Sequence, residues 1–532
     1  MHKETVTFQI GHLSNFVGAH WWNLQEASFV YEGSGSSGEK AEINHDVTFR
    51  EGEVTYTPRL ISVDLSEALH CLKQEGVLYD FETDGDCISW VASRNAMSLF
   101  LKVTRSTLHK EAEKYKKNEF LRDLEREDNP EQDVAEVDES SSKEKMEAEL
   151  LDSTETESKA DEPESSVKED IREKMYSLDD SVHSWCDYLR VHLHPKSLSV
   201  VKGYYQTDNV LNLHNLGSDL YNRQSSKLRE ELEDKIHFFT EEADNLQGFH
   251  MLADIYDGFG GLASSVASDI SDEYSKRGCI SFCPFYSQRT SQDNSQSLHD
   301  LINSVLSVVR LIEAGFTVVP LSLVDNPWNS VHHKHTQLPG LVYKVSNLSL
   351  TLPLPLESHL SSQSLFNKAL NPLRSLSPLH DGNVLRSPSV QSVVLRGAEA
   401  SYESLLQEAV STWYPSTSSS IMEVRKPCKV TSPFPHIFDS NIDEFGYRSD
   451  KPREKRKGVQ SVAAMTSLST TNQSVHMLTH LLERSRKLNR RHLHKHLEAG
   501  MEQDDWSDSL NTLEELIGKY EDGDAMETSD SE

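Results

Sequence analysis

Residues 6–10, Val6-Thr7-Phe8-Gln9-Ile10, alternate apolar and polar side chains with the period of two expected of a β-strand. Gly11 breaks the alternation, and Val17, Trp21, Leu24 and Phe29 then recur near helical spacing, which predicts a helix over 17–29. The glycine- and serine-rich run 33–38 reads as a flexible loop. Residues 60–65 form a short apolar run of the kind a buried strand shows, with Asp64 near its end. Leu228, Leu232, Ile236, Phe239, Ala243 and Leu246 mark a one-face helical stripe over 225–246. A strand (249–255), a glycine loop (257–261), a helix (262–274) and a second strand (279–283) follow in order. Strand, loop, helix and strand make a βαβ unit, which implies parallel pairing and an α/β domain. The apolar window 301–324 contains Arg310, Glu313 and Pro320, so it reads as a buried helix followed by a strand rather than a membrane span.

Composition changes this picture at two places. Residues 127–170 hold 18 acidic and 4 basic residues and no aromatic one. Such a stretch buries too little apolar surface to offset its chain entropy and reads as a disordered insertion, either a solvated spacer or a docking and phosphorylation platform. From Glu498 onward the chain is acidic again, with 13 acidic residues and one lysine around a short helix at 510–517. Between them, 475–497 is a basic helix carrying Arg484, Arg486, Lys487, Arg490, Arg491 and Lys495. The expected organisation is therefore 1–117, an acidic insertion over 118–174, a continuation of the first domain over 175–325, a second α+β domain over 326–497, and an acidic tail over 498–532.

Charge and cysteine content exclude several functions. The 532 residues carry 53 Lys and Arg against 85 Asp and Glu, a net charge of −32, so phosphate backbones repel the chain and nucleic acid is not an expected partner. The six cysteines, Cys71, Cys87, Cys186, Cys279, Cys283 and Cys428, include no CxxC pair and fit reduced thiols rather than a zinc site. The first residues resemble neither a signal nor a transit peptide, and no span of about 20 uncharged apolar residues occurs.

Candidate chemistry lies in the glycine loop Asp257-Gly258-Phe259-Gly260-Gly261, which falls beyond a strand and before a helix, where α/β sheets bind ligands. Its backbone amides suit a phosphate, but Asp257 sets a carboxylate beside that place, and no Lys or Thr follows as in a P-loop. A tight strand-to-helix turn is the alternative. His476, His480, His492, His494 and His496 stand in a basic surrounding that disfavours a cation, and no local motif announces nucleophilic catalysis.

Three stretches together resemble one family. Residues 11–22, beginning Gly11-His12-Leu13-Ser14-Asn15-Phe16, are similar to the first phosphate-facing loop and helix of tubulins. Residues 56–65 resemble the next tubulin strand, and 246–274, from Leu246-Gln247-Gly248-Phe249 to Asp272-Glu273-Tyr274, resemble its glycine loop and following helix. The wording of the first stretch and of Asp257-Gly258-Phe259 looks like the Misato family of tubulin-like proteins. The resemblance covers 4–105 and 175–320 and implies a tubulin/FtsZ-like parallel-sheet domain. It places a vestigial GTP pocket at Gly11, Asn15, Asp64, Gly258, Gly260 and Gly261.

The departures from the family pattern bear on activity. His12 and Phe16 replace two glutamines, the glycine loop lacks Thr and Ser donors, and no NxDxxE motif follows residue 300 to position a hydrolytic water. The expectation is a protein with no resident cofactor and no catalysis. Likeness to the Misato family implies a regulator of mitochondrial distribution, morphology and fusion, found in the cytoplasm and peripherally on the mitochondrial outer surface. It also implies outer-surface proteins, tubulin or the cytosolic chaperonin as partners. A GTP-binding, filament-forming GTPase or a tubulin-assembly factor is the alternative.

Overall fold

The structure is a computed structural model that describes residues 3–29, 43–52, 56–69, 118–128, 174–206, 209–284, 294–321, 345–351, 374–377, 390–397, 407–410, 417–471 and 474–528, omitting short runs within 174–180, 407–410 and 431–457. The first part is a six-stranded sheet built from β1 (Glu4–Ile10), β4 (Leu60–Leu65), β5 (Leu198–Val201), β6 (Leu246–Ala253), β7 (Gly278–Pro284) and β8 (Thr317–Leu321). A small antiparallel hairpin, β2 (Phe49–Glu51) and β3 (Tyr56–Pro58), lies between β1 and β4. The strand order is β5-β4-β1-β6-β7-β8 and every pairing is parallel. The expected α/β parallel-sheet domain is therefore present. Because all six strands run one way, their carboxyl ends share one edge, where Ile10 pairs with Val63 on one side and Ala253 on the other.

β1 is buried along its whole length, its polar Thr7 and Gln9 included. Its alternation thus marks two covered faces, one of them polar, rather than a core face and a wet face. At its start Glu4 is ion-paired with Arg59 at 2.9 Å, both side chains buried.

Helices cover both faces. They are α1 (His12–Ala27), α2 (Glu119–Asp128), α3 (His214–Asn222), α4 (Lys227–Glu242), α5 (Gly258–Glu273) and α6 (Asn294–Glu313). α4 buries Leu228, Leu232, Ile236 and Phe239 as its stripe predicts, but it ends at Glu242, and Leu246, expected on the helix, opens β6. α1 differs: it begins five residues before the predicted start and buries Ser14, Asn15, Gly18, Ala19, Trp22 and Asn23, while Val17 is exposed. The inward face of α1 is largely polar because its side chains bond to neighbouring strands and loops, so an apolar stripe could not reveal it. α3 and α5 cross at van der Waals contact through glycine: a Cβ on Gly217 would lie 1.7 Å from the Gly258 carbonyl oxygen, and one on Gly261 would lie 1.8 Å from that of His214. Of the expected acidic insertion, residues 119–128 form α2, with Phe120, Leu121 and Leu124 packed against Tyr176 and Trp185. Residues 129–173 lie outside the described set.

A second, five-stranded sheet of order β10-β9-β15-β11-β12 comprises β9 (Asn347–Thr351), β10 (Arg374–Ser375), β11 (Val390–Arg396), β12 (Ser418–Val424) and β15 (Ala464–Thr470). It is antiparallel except for the β11–β12 pair, and a separate two-stranded ladder joins β13 (Cys428–Lys429) to β14 (Ser461–Val462). This sheet fits the expected second α+β part.

The chain closes with α7 (Ser474–Arg486), α8 (Arg490–Glu498) and α9 (Gln503–Thr528). The expected single basic helix over 475–497 is two helices, because Asn489 caps a new one. Within the expected acidic tail over 498–532 the short helix expected at 510–517 is a longer one, Gln503–Thr528, and it is docked. Trp506, Leu513, Leu516, Ile517 and Tyr520 are buried and join α6, α7 and the parallel sheet in one apolar cluster. The Tyr520 hydroxyl also accepts the Val345 amide at 3.2 Å. Asp504, Asp508, Glu514 and Glu515 are exposed, so charge count alone concealed an amphipathic helix.

Trp506→Ala should therefore destabilise the full chain by about 3 kcal/mol in urea unfolding and speed proteolysis of α9. An unchanged midpoint would mean that the helix is not docked in solution.

Candidate functional site

The site lies at the carboxyl edge of the sheet, where β1 turns into α1 beside β6. Gly11 makes that turn with φ 110, a left-handed-side conformation that strains residues bearing a Cβ, and its amide donates to Val63 O at 3.1 Å. A Cβ there would also lie 2.6 Å from the carboxyl carbon of Asp254. Asp254 follows β6 directly and aims its carboxylate at the amino end of α1. One oxygen accepts the Leu13 amide at 2.9 Å; the other accepts the Ser14 amide at 2.9 Å and the Ser14 hydroxyl at 2.7 Å. Tyr256 adds its hydroxyl at 3.3 Å. A helix amino terminus attracts an anion through its free N–H groups and its dipole, and here the anion is supplied by the chain itself.

Asp64, near the end of β4, forms a second buried hub. It accepts Asn15 Nδ2 at 3.1 Å, Trp185 Nε1 at 3.0 Å and the Leu65 amide at 2.8 Å. His12 Nδ1 stands 3.5 Å from it. Asn15 also donates to Val63 O at 3.1 Å and accepts the Ser62 hydroxyl at 2.7 Å, so it is tied on both sides.

The amino end of α5 is also filled from within. Asp257 caps it by accepting the Phe259 amide at 2.9 Å, the Gly258 amide donates to Leu211 O at 3.0 Å, and the Gly260 amide donates to Asp257 O at 3.2 Å. The chain at 211–214 lies directly on this turn. Asn303 of α6 holds it there, accepting the His214 amide at 2.8 Å and donating to Asn212 O and Tyr256 O, both at 2.8 Å. Gly258, Gly260 and Gly261 admit this covering layer: added Cβ atoms would meet Leu211, Ser307 and His214 respectively.

Of the sequence-predicted site residues, Gly11, Asn15 and Asp64 converge on one hydrogen-bonded cluster. Gly258, Gly260 and Gly261 lie at the same sheet edge but in the first turn of a helix rather than in a loop, and they are turned into α3 and α6. Sequence reasoning placed an anion-repelling carboxylate at Asp257; the carboxylate at the α1 terminus is Asp254, three residues earlier. Its position straight after a strand was the available signal. Trp185, Asn303 and the 211–214 chain carried none, because they reach the site from distant elements.

The electrostatics follow from burial. Asp254 is pushed up to about 6, chiefly by burial, with the charge of Asp64 adding to it and the Ser14 and backbone hydrogen bonds opposing it. Asp257 is raised well above the ordinary carboxyl range by burial and by the Asp254 charge. Burial alone lowers His12, but the adjacent carboxylates of Asp64, 3.5 Å away, and Asp254 outweigh this and raise it. Among the described residues, no group of three or more His, Cys, Asp or Glu is arranged to hold a metal ion.

A six-stranded parallel sheet with glycine turns at the ends of β1 and β6 is the frame expected of a tubulin-like α/β domain. Residues 3–126 match the family model described as the Misato Segment II tubulin-like domain, and residues 176–353 match that of the Tubulin domain. The chain is 30% identical to Protein misato homolog 1 of Danio rerio over 84% of each chain. It is 28% identical to Protein misato homolog 1 of Mus musculus and to Protein misato of Drosophila melanogaster, each over 98% of this chain and 99% of the relative. The chain belongs to the misato family.

Asp254 titrates near 4 when unfolded and near 6 when folded, so the folded state holds the extra proton between those values and stability falls as pH rises through them. Wild type should lose about 2 kcal/mol of stability relative to Asp254→Asn between pH 4 and pH 6, as read by denaturant unfolding. Parallel profiles for the two proteins would contradict the assignment.

Proposed function

We propose that this misato-family chain is a non-enzymatic, tubulin-like regulator of mitochondrial distribution and morphology that acts without bound GTP. One observation carries the GTP-independent part: the Asp254 carboxylate sits on the Leu13 and Ser14 amides, where a phosphate-binding helix terminus needs those donors free. A triphosphate at this edge would meet Asp254, Asp257 and Asp64, three carboxylates, with the Gly258, Phe259 and Gly260 amides already spent. Phosphoryl transfer depends on positioned donors and a positioned water, and among the described residues the donors at this edge are already taken.

Family resemblance supports the mitochondrial part, with work on network distribution and fusion as its content. Attachment to the outer surface is proposed to be peripheral; among the described residues no helix is long and apolar enough to cross a membrane. Outer-surface proteins, and tubulin or the cytosolic chaperonin, are the proposed partners. A regulator of this kind uses the tubulin-like domain as a rigid body for recognition, its crevice sealed from inside.

Titration of purified protein with GTP and Mg2+ should give no heat and no turnover up to about 100 μM ligand. Depletion in cells should fragment or cluster the mitochondrial network. Micromolar affinity that disappears in Asn15→Ala would restore the filament-forming GTPase, and unchanged organelle shape after complete loss would reject the mitochondrial role.

A further inference from the structure

A lobe between β12 and β14 exposes three large apolar side chains. Its inner side is a small core of Val430, Val459 and Val462 against Phe434, Phe438 and Ile442. Its tip is a turn held by Asp443, whose carboxylate accepts the Phe445 amide at 3.0 Å and the Tyr447 amide at 2.8 Å. Arg453 clamps the base of the turn, donating to Ile442 O at 2.6 Å. The lobe is fastened to the first domain by Arg190, which donates to Ser432 O at 3.2 Å, and by Phe434, whose ring centroid lies 6.3 Å from that of His20. On this fixed frame Ile437 is 61%, Phe445 59% and Tyr447 53% exposed. Phe445 and Tyr447 stand on one ordered turn, where both rings are open to an apolar partner.

The charge of the lobe runs opposite to that of the chain. Residues 425–457 contain nine Lys and Arg against five Asp and Glu, a surplus of four positive charges in a chain whose net charge is −32. Arg425, Lys429 and Lys451 are exposed on the described part of this segment. At physiological salt, charges beyond about 8 Å are screened, so an anionic surface responds to the lobe's own charge, in which nine Lys and Arg outnumber Asp439, Asp443, Glu444, Asp450 and Glu454.

We infer that this lobe docks on an anionic lipid bilayer, with Ile437, Phe445 and Tyr447 entering the boundary between headgroups and acyl chains and Arg425, Lys429 and Lys451 at the level of the lipid phosphates. The pairing of apolar tips with lysine and arginine is that of interfacial membrane contacts, and a tyrosine suits the boundary because its ring is apolar and its hydroxyl stays wet. A folded acidic protein fits less well. It needs a broad complementary face of several hundred Å2, whereas here separate side chains project from turns. The inference rests on the peripheral recruitment proposed above and supplies its contact.

The test is flotation of the purified full chain with vesicles of neutral phosphatidylcholine and with vesicles containing about 30 mol% anionic lipid. The chain should float with the anionic vesicles only, and high salt should weaken the binding. Combined Ile437→Ser, Phe445→Ser and Tyr447→Ser should weaken it at least about tenfold with an unchanged unfolding midpoint, since all three side chains are exposed. Lys429→Glu with Lys451→Glu should weaken it independently. Failure of wild type to float with anionic vesicles, equal binding by the serine variant, or capture by soluble polyglutamate in place of vesicles would overturn the assignment. A serine variant that no longer floats yet restores the network in depleted cells would overturn the lobe as recruiter and leave the proposed function standing.

Discussion

The arrangement at the sheet edge depends on a buried carboxylate facing a helix amino terminus. Asp254 joins the end of β6 to the start of α1 across β1 and satisfies two backbone amides that otherwise have no partner. Hydrogen bonds to a charged acceptor are worth roughly twice neutral ones, and an unmet buried amide costs about 1–3 kcal/mol. The carboxylate also repels any second anion. The same group therefore starts the helix, fixes the strand-to-helix turn at Gly11 and fills the place where nucleotide-binding relatives of this architecture present free donors. Asp64 and Asn15 extend the arrangement to β4, and Trp185 brings in the segment beyond the acidic stretch.

Much of this fold was legible in the sequence where side chains obey one periodicity. The strand at 60–65 and the α4 stripe appear as their patterns predict, because apolar burial decides both. α1 was misread at its start and on its face. Its terminus is capped by Asp254, some 240 residues away in sequence, and its buried face carries Ser14, Asn15 and Asn23, which are stabilised by hydrogen bonds rather than by apolar contact. The start of α5 was placed four residues late for a related reason. Glycines read as loop, yet Asp257 caps a helix whose first turn needs glycine for close packing on α3. Composition misled at the carboxyl end as well, where Trp506, Leu510, Leu513, Ile517 and Tyr520 recur at helical spacing but the acidic count drew attention from that stripe.

The candidate site shows the same limit. Motif likeness brought out Gly11, Asn15 and Asp64, which do converge, because these residues stand at strand ends and topology brings strand ends together. The residues that decide what the site can accept, Asp254, Asn303 and the 211–214 chain, belong to no motif. Their effect arises from three-dimensional proximity: Asp254 and the 211–214 chain take up amides that a phosphate would require, and Asn303 holds that chain in place. A tubulin-like scaffold can thus keep its sheet, its turns and its helix order while the chemistry at its edge is replaced by internal capping.

The most direct measurement of this account is a crystal structure of the protein grown with millimolar GTP and Mg2+. The Asp254 carboxylate should remain on the Leu13 and Ser14 amides, with the 211–214 chain still lying on the α5 terminus. A triphosphate on those amides, with Asp254 swung away, would contradict the account.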